Sequence, residues 1–419
     1  MKRTNERAVF LTVVVDLIGF GIVLPLLPLY AQRFDAKGWQ IGLLFSSFSA
    51  MQFLFAPIWG RISDRVGRRP VLLIGLAGSV VFYTVFGLAD SLAWLFVARI
   101  GAGVCGATIS VSNAYIADVT PREQRARGMA LIGAAFGIGF TIGPPLGFFA
   151  MHQGELLHEG GFVPASFVLG LPGFLAAAIS LVSFLWTLTS VGEPERHEGT
   201  VRKLFDLEAL RKARSAGMLE FLLAFQLLSV FAFSNFEATL SLTLKDRFGY
   251  TKAESGLVYL FIGVTLALAQ GFLVRRLLLR VPERTMIRAG FLVMAAGLAG
   301  LAASDGLPLL LVSLATAVTG FGCVTPSLSA LVSKQAGPAD QGGIMGLAAS
   351  ASALGRILGP FVGSTIYAPE GPRGSALGRA VAPLFGDLDH HRRPYVLGAI
   401  LAGALLLAAL GLLRRSDPA

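Results

Sequence analysis

The chain of 419 residues is 54% hydrophobic and only 14% charged, with a mean hydropathy of +0.69, whereas soluble domains average about 25% charge. A soluble fold of this size needs far more charge to cover its core, so composition excludes one. The net charge of +10 suggests a nucleic-acid partner only until its distribution along the chain is read.

Apolar runs of about 20 residues or more cross a ~30 Å hydrocarbon core at 1.5 Å per residue. Twelve such runs follow one another: 8–30, 41–60, 70–89, 92–117, 128–150, 163–188, 217–244, 255–274, 285–304, 307–333, 343–367 and 394–413. A closed β-barrel would show ten-residue alternation instead. The expected fold is an all-α membrane protein with twelve transmembrane helices. With the N-terminus cytoplasmic, the inner segments hold 24 Lys and Arg, counting Arg288 just inside the inner end of span 9, and the outer loops 9, while Arg99 and Arg356 lie deeper within spans. This bias obeys the positive-inside rule and predicts a multi-pass protein of the cytoplasmic membrane with both termini cytoplasmic. The basicity is a topology signal, and no nucleic acid is expected. Met1-Lys2-Arg3 before an apolar run has the look of a signal peptide, but the run is too long, holds Pro25 and Pro28, and lacks a small-residue cleavage site. It is span 1.

Span 1 carries Asp16 eight residues in, roughly 12 Å deep. A charge at mid-bilayer costs at least ~2.5–3.5 kcal/mol, so an ionisable residue there is a functional candidate by default. Three others qualify: Arg99 in span 4, Glu237 in span 7 and Arg356 in span 11. Each is a candidate for proton coupling or substrate binding. Each also has a plainer reading. Asp16 can partner a polar helix face, Glu237 can sit at the rim of span 7, and Arg356 can neutralise Glu237 or face an anionic substrate.

Between spans 2 and 3 the chain reads Gly60-x-x-x-Asp64-Arg65-x-Gly67-Arg68-Arg69. Gly67 allows a tight turn, and Asp64 is suited to a helix N-terminus. Arg65, Arg68 and Arg69 can pair with carboxylates on the cytoplasmic rim, Asp118 at the inner end of span 4 being best placed. Positive-inside ballast accounts for the arginines but not for Asp64 or the glycines, so a gating role is expected.

Span 5 contains Gly139-x-x-x-Gly143-Pro144-x-x-Gly147, and span 11 contains Gly355-x-x-x-Gly359-Pro360-x-x-Gly363, an offset of 216 residues. An offset of 214 likewise aligns Arg33-Phe34 and Gly42 with Arg247-Phe248 and Gly256. Glycines four apart share a helix face on which another helix packs closely, and proline adds a kink. Such a helix is expected to grip the opposite half in one state and release it in another, although plain close packing explains either copy alone. The internal repeat predicts two six-helix bundles, residues 1–190 and 217–419, with a charged cytoplasmic linker at 191–216. Within the linker, 202–214 has amphipathic spacing suited to the membrane surface.

Gln52, Asn113, Gln226, Asn235 and Gln270 are candidates to line a cavity together with Phe45, Phe48, Phe136, Phe225 and Phe236. With 31 Phe in the chain, most must simply pack. Cys105 and Cys323 fall inside spans and are read as packing residues. The five histidines, His152, His158, His197, His390 and His391, are all placed in loops, and no His/Cys/Asp cluster is expected. Hence no metal, no cofactor and no enzyme chemistry are predicted.

These motifs together resemble the major facilitator superfamily, specifically its twelve-span drug:proton antiporters and the tetracycline-efflux and tetracycline-transporter-like group. The resemblance covers almost the whole length. It rests on Asp16 to Pro28 in span 1, Met51-Gln52-Phe53 and Ala56-Pro57 in span 2, and the 60–69 motif. It extends to Arg99-Ile100-Gly101 and Tyr115 to Asp118 in span 4, Gly139 to Gly147 in span 5, and Phe233 to Leu242 in span 7. The resemblance implies a central-cavity position for Asp16 and a part in proton transfer for Arg99. It also implies docking of Asp64 against span 11 and a cytoplasmic charge relay through Arg68 and Asp118. The basic loop 271–284 (Arg275, Arg276, Arg280) has no counterpart of Asp64, so the inner latch is expected mainly from the first half. Phe82 and Leu266 stand where tetracycline pumps carry an aspartate and a histidine, and span 9 lacks their acid, which argues against tetracycline as the main substrate. The expected function is proton-coupled efflux of lipophilic or amphipathic small molecules by alternating access, by a protein functional as a monomer in the lipid bilayer. The alternative is a same-fold carrier of an endogenous metabolite or organic anion.

Overall fold

The computed structural model describes residues 6–107, 109–120, 125–194, 218–277, 280–335, 341–367, 379–380 and 382–413. Every regular element among them is helical. A chain surrounded by lipid must satisfy each backbone N–H and C=O within itself, and a helix does so segment by segment.

The spans are named in chain order. α1 runs over Glu6–Val23, tightens into a 3-10 turn at Leu24–Leu26 and continues as Leu27–Arg33. The break coincides with Pro25 and Pro28, whose rings lack the N–H for the helical ladder. α2 is Gly38–Val66 and α3 Arg68–Gly87. α4 comprises Leu92–Gly106 and Ile109–Val119, α5 is Arg125–Glu159 and α6 Ala165–Ser190. α7 is Met218–Asp246. α8 begins as Lys252–Leu268 and widens into a π-helix over Ala269–Val274 before Arg275–Leu277. α9 is Glu283–Ala303, α10 Leu307–Lys334, α11 Gln341–Tyr367 and α12 Arg393–Leu412. Among the described residues eleven helices are long and apolar enough to cross a membrane, and α5 joins them as the twelfth long helix. Of the 191–216 linker only 191–194 are described, so its amphipathic stretch lies outside the described residues.

The chain forms two compact units. One holds residues 1–34, 47–204 and 250–263; the other holds 35–46, 205–249 and 264–419. In the first, α1 packs on α5 and α6, and α3 packs on α4 and α6. In the second, α7 packs on α11 and α12, and α9 packs on α10 and α12. The second set of pairings is the first with six added to each index, which is the internal repeat in three dimensions.

The glycine-proline motifs are what let the first pair of each set close. A Cβ on Gly139 would stand 2.7 Å from Leu17 Cβ, and one on Gly143 only 2.6 Å from Gly21 Cα. On α11, a Cβ at Gly355 would stand 2.5 Å from the Leu227 carbonyl oxygen, and one at Gly359 2.5 Å from that of Phe231. The glycine faces therefore grip α1 and α7, helices of their own half. In this structure the motifs therefore do not make the contact with the opposite half that was expected of them; the other faces of α5 and α11 bond α8 and α2, each within one of the two units. Ser46 of α2 donates to the Ile357 carbonyl of α11 at 2.5 Å, and Thr141 of α5 donates to that of Gly263 in α8 at 2.9 Å. Lys252 of α8 pairs with Glu155 of α5.

The contrast between two glycines of one helix tests this reading. Gly143→Ala places a methyl group against backbone and is expected to cost about 1–3 kcal/mol by overpacking. Gly137→Ala meets open space and is expected to leave stability unchanged or raise it. Thermal unfolding of the purified variants in detergent separates the two.

Candidate functional site

In the first unit, three helices converge on Asp16. The carboxylate is half-buried and borders a small pocket with Thr12, Leu72, Leu76 and Ser112. Ser79 of α3 donates its hydroxyl to Asp16 Oδ1 at 3.3 Å. Tyr83, one turn further along α3, lies in the field of both Asp16 and Arg99. Arg99 of α4 is 2% exposed, and its guanidinium lies over the ring of Phe48 at 4.5 Å and near that of Phe20 at 5.8 Å. An aromatic face attracts a cation electrostatically, and more strongly where water is excluded. Phe20 in turn packs on Phe48 and Phe140, with ring centroids 4.8 and 5.9 Å away. Asp16 and Arg99, chosen separately from sequence, thus belong to one neighbourhood joined through Tyr83. Ser79 and Tyr83 escaped the sequence reading because an uncharged hydroxyl inside an apolar run gives little signal.

The second unit carries its own pair. Glu237 of α7 is half-buried and Arg356 of α11 exposed, and each is the other's Coulombic partner. Each thus lies in the other's field, the situation that the neutralisation option for Arg356 requires. The other option, an anionic substrate, uses the same guanidinium.

The polar cavity candidates divide. Gln52 is half-buried and donates to the Gly106 carbonyl of α4 at 3.2 Å. Asn113, also half-buried, donates to Ile109 in its own helix at 3.1 Å. Gln226 and Asn235 are corrections, for both are buried between helices instead of lining an open space. Gln226 donates to Ser352 Oγ at 2.9 Å and Asn235 to the Pro394 carbonyl at 2.8 Å. A polar side chain in a membrane helix finds either water or a neighbouring helix, and these two found helices. Gln270 lies in the π-helical stretch of α8 beside Gly322 of α10. Phe45, Phe48, Phe225 and Phe236 are core residues, and the side chain of Phe136 lies outside the described residues.

The turn at 60–69 is built around Arg68. Its Nε donates to Asp118 Oδ2 at 3.0 Å, and its Nη1 lies 2.7 Å from Asp64 Oδ1 and 2.5 Å from Ser63 Oγ. The expected pairing with Asp118 is present. Asp64, however, occupies the last turn of α2, not a helix N-terminus, and the capping is done by Glu193. Its two carboxylate oxygens accept the backbone N–H groups of Arg68 and Arg69 at 2.6 and 2.9 Å, at the positive end of the α3 dipole. Gly67 serves this arrangement twice. Its φ of +112° is a glycine conformation, and a Cβ would stand 2.7 Å from Glu193 Oε1. Arg69 donates to the Leu188 carbonyl at 2.8 Å, Arg65 is exposed, and a Cβ on Gly60 would meet open space. Of the start of α11, the expected dock for Asp64, the side chains of residues 341 and 342 lie outside the described residues, and the ion partner seen for Asp64 is Arg68.

Two expectations about histidine are corrected. His152 and His158 lie on α5, which extends past the apolar run. Asp389, His390 and His391 form a cluster whose donor atoms lie within 4.8 Å of one another. Cys105 and Cys323 are free and buried, and His197 lies outside the described residues.

The chain has clear relatives among known proteins. The family profile described as Major Facilitator Superfamily fits residues 9–360. Major facilitator superfamily domain-containing protein 10 of Mus musculus is 31% identical, over 87% of this chain and 88% of that one. Tetracycline resistance protein, class C, of Escherichia coli is 33% identical over 88% and 91%. The crystal structure of the human organic anion transporter MFSD10 (TETRAN) superposes with a TM-score of 0.68 at 26% identity, covering 97% of this chain and all of that one.

The Arg68–Asp118 contact calls for a double-mutant cycle. Arg68→Ala and Asp118→Ala are expected to be non-additive in thermal stability, with a coupling of about 0.5–3 kcal/mol. Strict additivity would show that the two charges do not act on each other.

Proposed function

Because the chain belongs to the major facilitator superfamily, we propose that it exports lipophilic or amphipathic small molecules across the cytoplasmic membrane in exchange for protons. It is a multi-pass membrane transporter and not an enzyme. The observation that carries the finer reading is Asp16. A carboxylate set in a membrane helix, held by the Ser79 hydroxyl beside a pocket, can exchange a proton as its surroundings alternate. Tyr83 lies in the field of both Asp16 and Arg99, and Glu237 with Arg356 forms a second ionisable pair.

Transport in this reading is alternating access between residues 1–190 and 217–419, with both termini cytoplasmic and the protein acting as a monomer. Arg68 steadies the α2–α3 turn through Asp118 and Asp64 together, and a latch of Asp64 against the start of α11 would exchange its bond to Arg68 for one to that helix. Resemblance to tetracycline resistance proteins supports efflux, and Phe82 and Leu266 point away from tetracycline as the cargo.

Inverted membrane vesicles give the test. Asp16→Asn is expected to lower proton-gradient-driven uptake of a proven substrate about tenfold or more, a barrier change of at least about 1.4 kcal/mol, while leaving substrate exchange without a gradient. Full gradient-driven uptake by Asp16→Asn would refute the proton assignment.

A second reading is favoured by Arg356 and by the likeness to a human organic anion transporter. Here the cargo is an organic anion, and Arg356 reads its charge. A charge-assisted hydrogen bond contributes about 1.5–3 kcal/mol, so Arg356→Gln is expected to weaken transport of anionic substrates about 10- to 100-fold and spare neutral ones. Equal loss for both classes would remove Arg356 from charge recognition.

A further inference from the structure

The turn leading into α12 gathers side chains that the transport reading does not use. Asp389, His390 and His391 each offer one possible ligand atom, and these atoms lie within 4.8 Å of one another. The backbone makes this possible. The Arg392 N–H donates to the Asp389 carbonyl at 2.9 Å, and the His391 N–H donates to Asp389 Oδ1 at 3.2 Å, folding the aspartate back over its own turn. His390 Nδ1 then lies 3.3 Å from Asp389 Oδ1. The two imidazole rings sit with centroids 3.9 Å apart.

His391 is also held from behind. The Tyr367 hydroxyl, at the end of α11, donates to Asp246 Oδ2 at the end of α7, at 3.3 Å. With its proton committed there, the Tyr367 oxygen is left as the acceptor towards His391 Nδ1, 2.9 Å away, which assigns the proton of the imidazole to Nδ1. A proton on Nδ1 leaves the lone pair on Nε2, the form of imidazole that binds a metal. Imidazoles that ligate metals characteristically have the other ring nitrogen tied to a carboxylate or another acceptor. Of the neighbouring cations, Arg247 and Arg392 both bond Asp305, at 2.7 and 2.8 Å, and Arg247 also acts on His391 through its charge.

From this geometry we propose that Asp389, His390 and His391 bind a divalent transition-metal ion such as Zn2+, with Tyr367 and Asp246 holding His391 in the ligating orientation. Two imidazoles and one carboxylate suit Zn2+ and disfavour Ca2+ and Mg2+, which prefer all-oxygen sets. Three protein ligands leave the fourth tetrahedral position to water. The His390 and Asp389 side chains are 46% and 42% exposed, so the ion has access from solvent. An ion here joins the turn before α12 to the ends of α11 and α7.

The test is isothermal titration of the purified full-length protein, carrying no histidine tag, with ZnCl2 and, separately, CaCl2. One Zn2+ per chain is expected, with no comparable Ca2+ binding. His390→Ala, whose ring is exposed and whose loss leaves the Tyr367 bond intact, is expected to weaken Zn2+ binding at least tenfold. Tyr367→Phe, which keeps all three ligands, is expected to weaken it about 10- to 100-fold. His152→Ala, outside the cluster, is expected to change nothing. The proposal fails if the wild type binds no Zn2+, if Ca2+ binds equally well, or if a monodisperse His390→Ala/His391→Ala variant binds Zn2+ undiminished.

Discussion

Two helix pairs, α1 on α5 and α7 on α11, approach until backbone meets backbone, and most of the remaining geometry follows from that contact. Lipid supplies no hydrophobic drive between helices, so close van der Waals packing must hold them together. Glycine permits that packing by removing the side chain that would keep the axes apart. The helices gripped in this way are also those that carry Asp16 and Glu237. A carboxylate on a helix with no slack against its neighbour keeps its place relative to that neighbour, whatever the rest of the chain does. α5 and α11 then present their other faces to α8 and α2, through Thr141 and through Ile357 with Phe361. Each is therefore a two-sided element, rigid on the glycine side and hydrogen-bonded on the other.

The two units solve the problem of charge in an apolar setting differently. In the first, the positive charge of Arg99 rests against aromatic rings and the negative charge of Asp16 takes a hydroxyl. In the second, Glu237 and Arg356 offset one another across two helices. The repeated architecture thus holds unlike chemistry in its two units, with the charges at positions that the repeat does not relate. Helix pairings repeat because packing needs only small residues at a fixed spacing, whereas charge placement depends on single positions.

Much of this was legible in the sequence, and the reasons are physical. The spans showed because lipid demands long apolar runs, and the repeat showed because Gly-Pro spacing is strict on a helix face. The Arg68–Asp118 contact was legible because both residues stand at the ends of neighbouring spans, where charge is confined. Other features had no local signature. Glu193 looks like linker charge until the fold brings it to the first residues of α3. Gln226 and Asn235 were placed in a cavity because sequence gives their polarity but not their direction. The cluster at 389–391 was overlooked because adjacent loop residues seldom converge, and an aspartate folded over its own turn is what makes these do so.

The capping of α3 by Glu193 has a consequence for how the chain assembles. The carboxylate lies 125 residues beyond the amide it receives, and α4, α5 and α6 all come between. During synthesis the α2–α3 hairpin therefore enters the bilayer with the first amides of α3 uncapped. They gain their partner only after the sixth helix has been delivered and its trailing residues have emerged. A nascent chain follows its own order of emergence, so this bond is among the last of the first six helices to form. It closes behind them like a clasp, and the basic turn takes its final shape only when the helices ahead of the linker are all present.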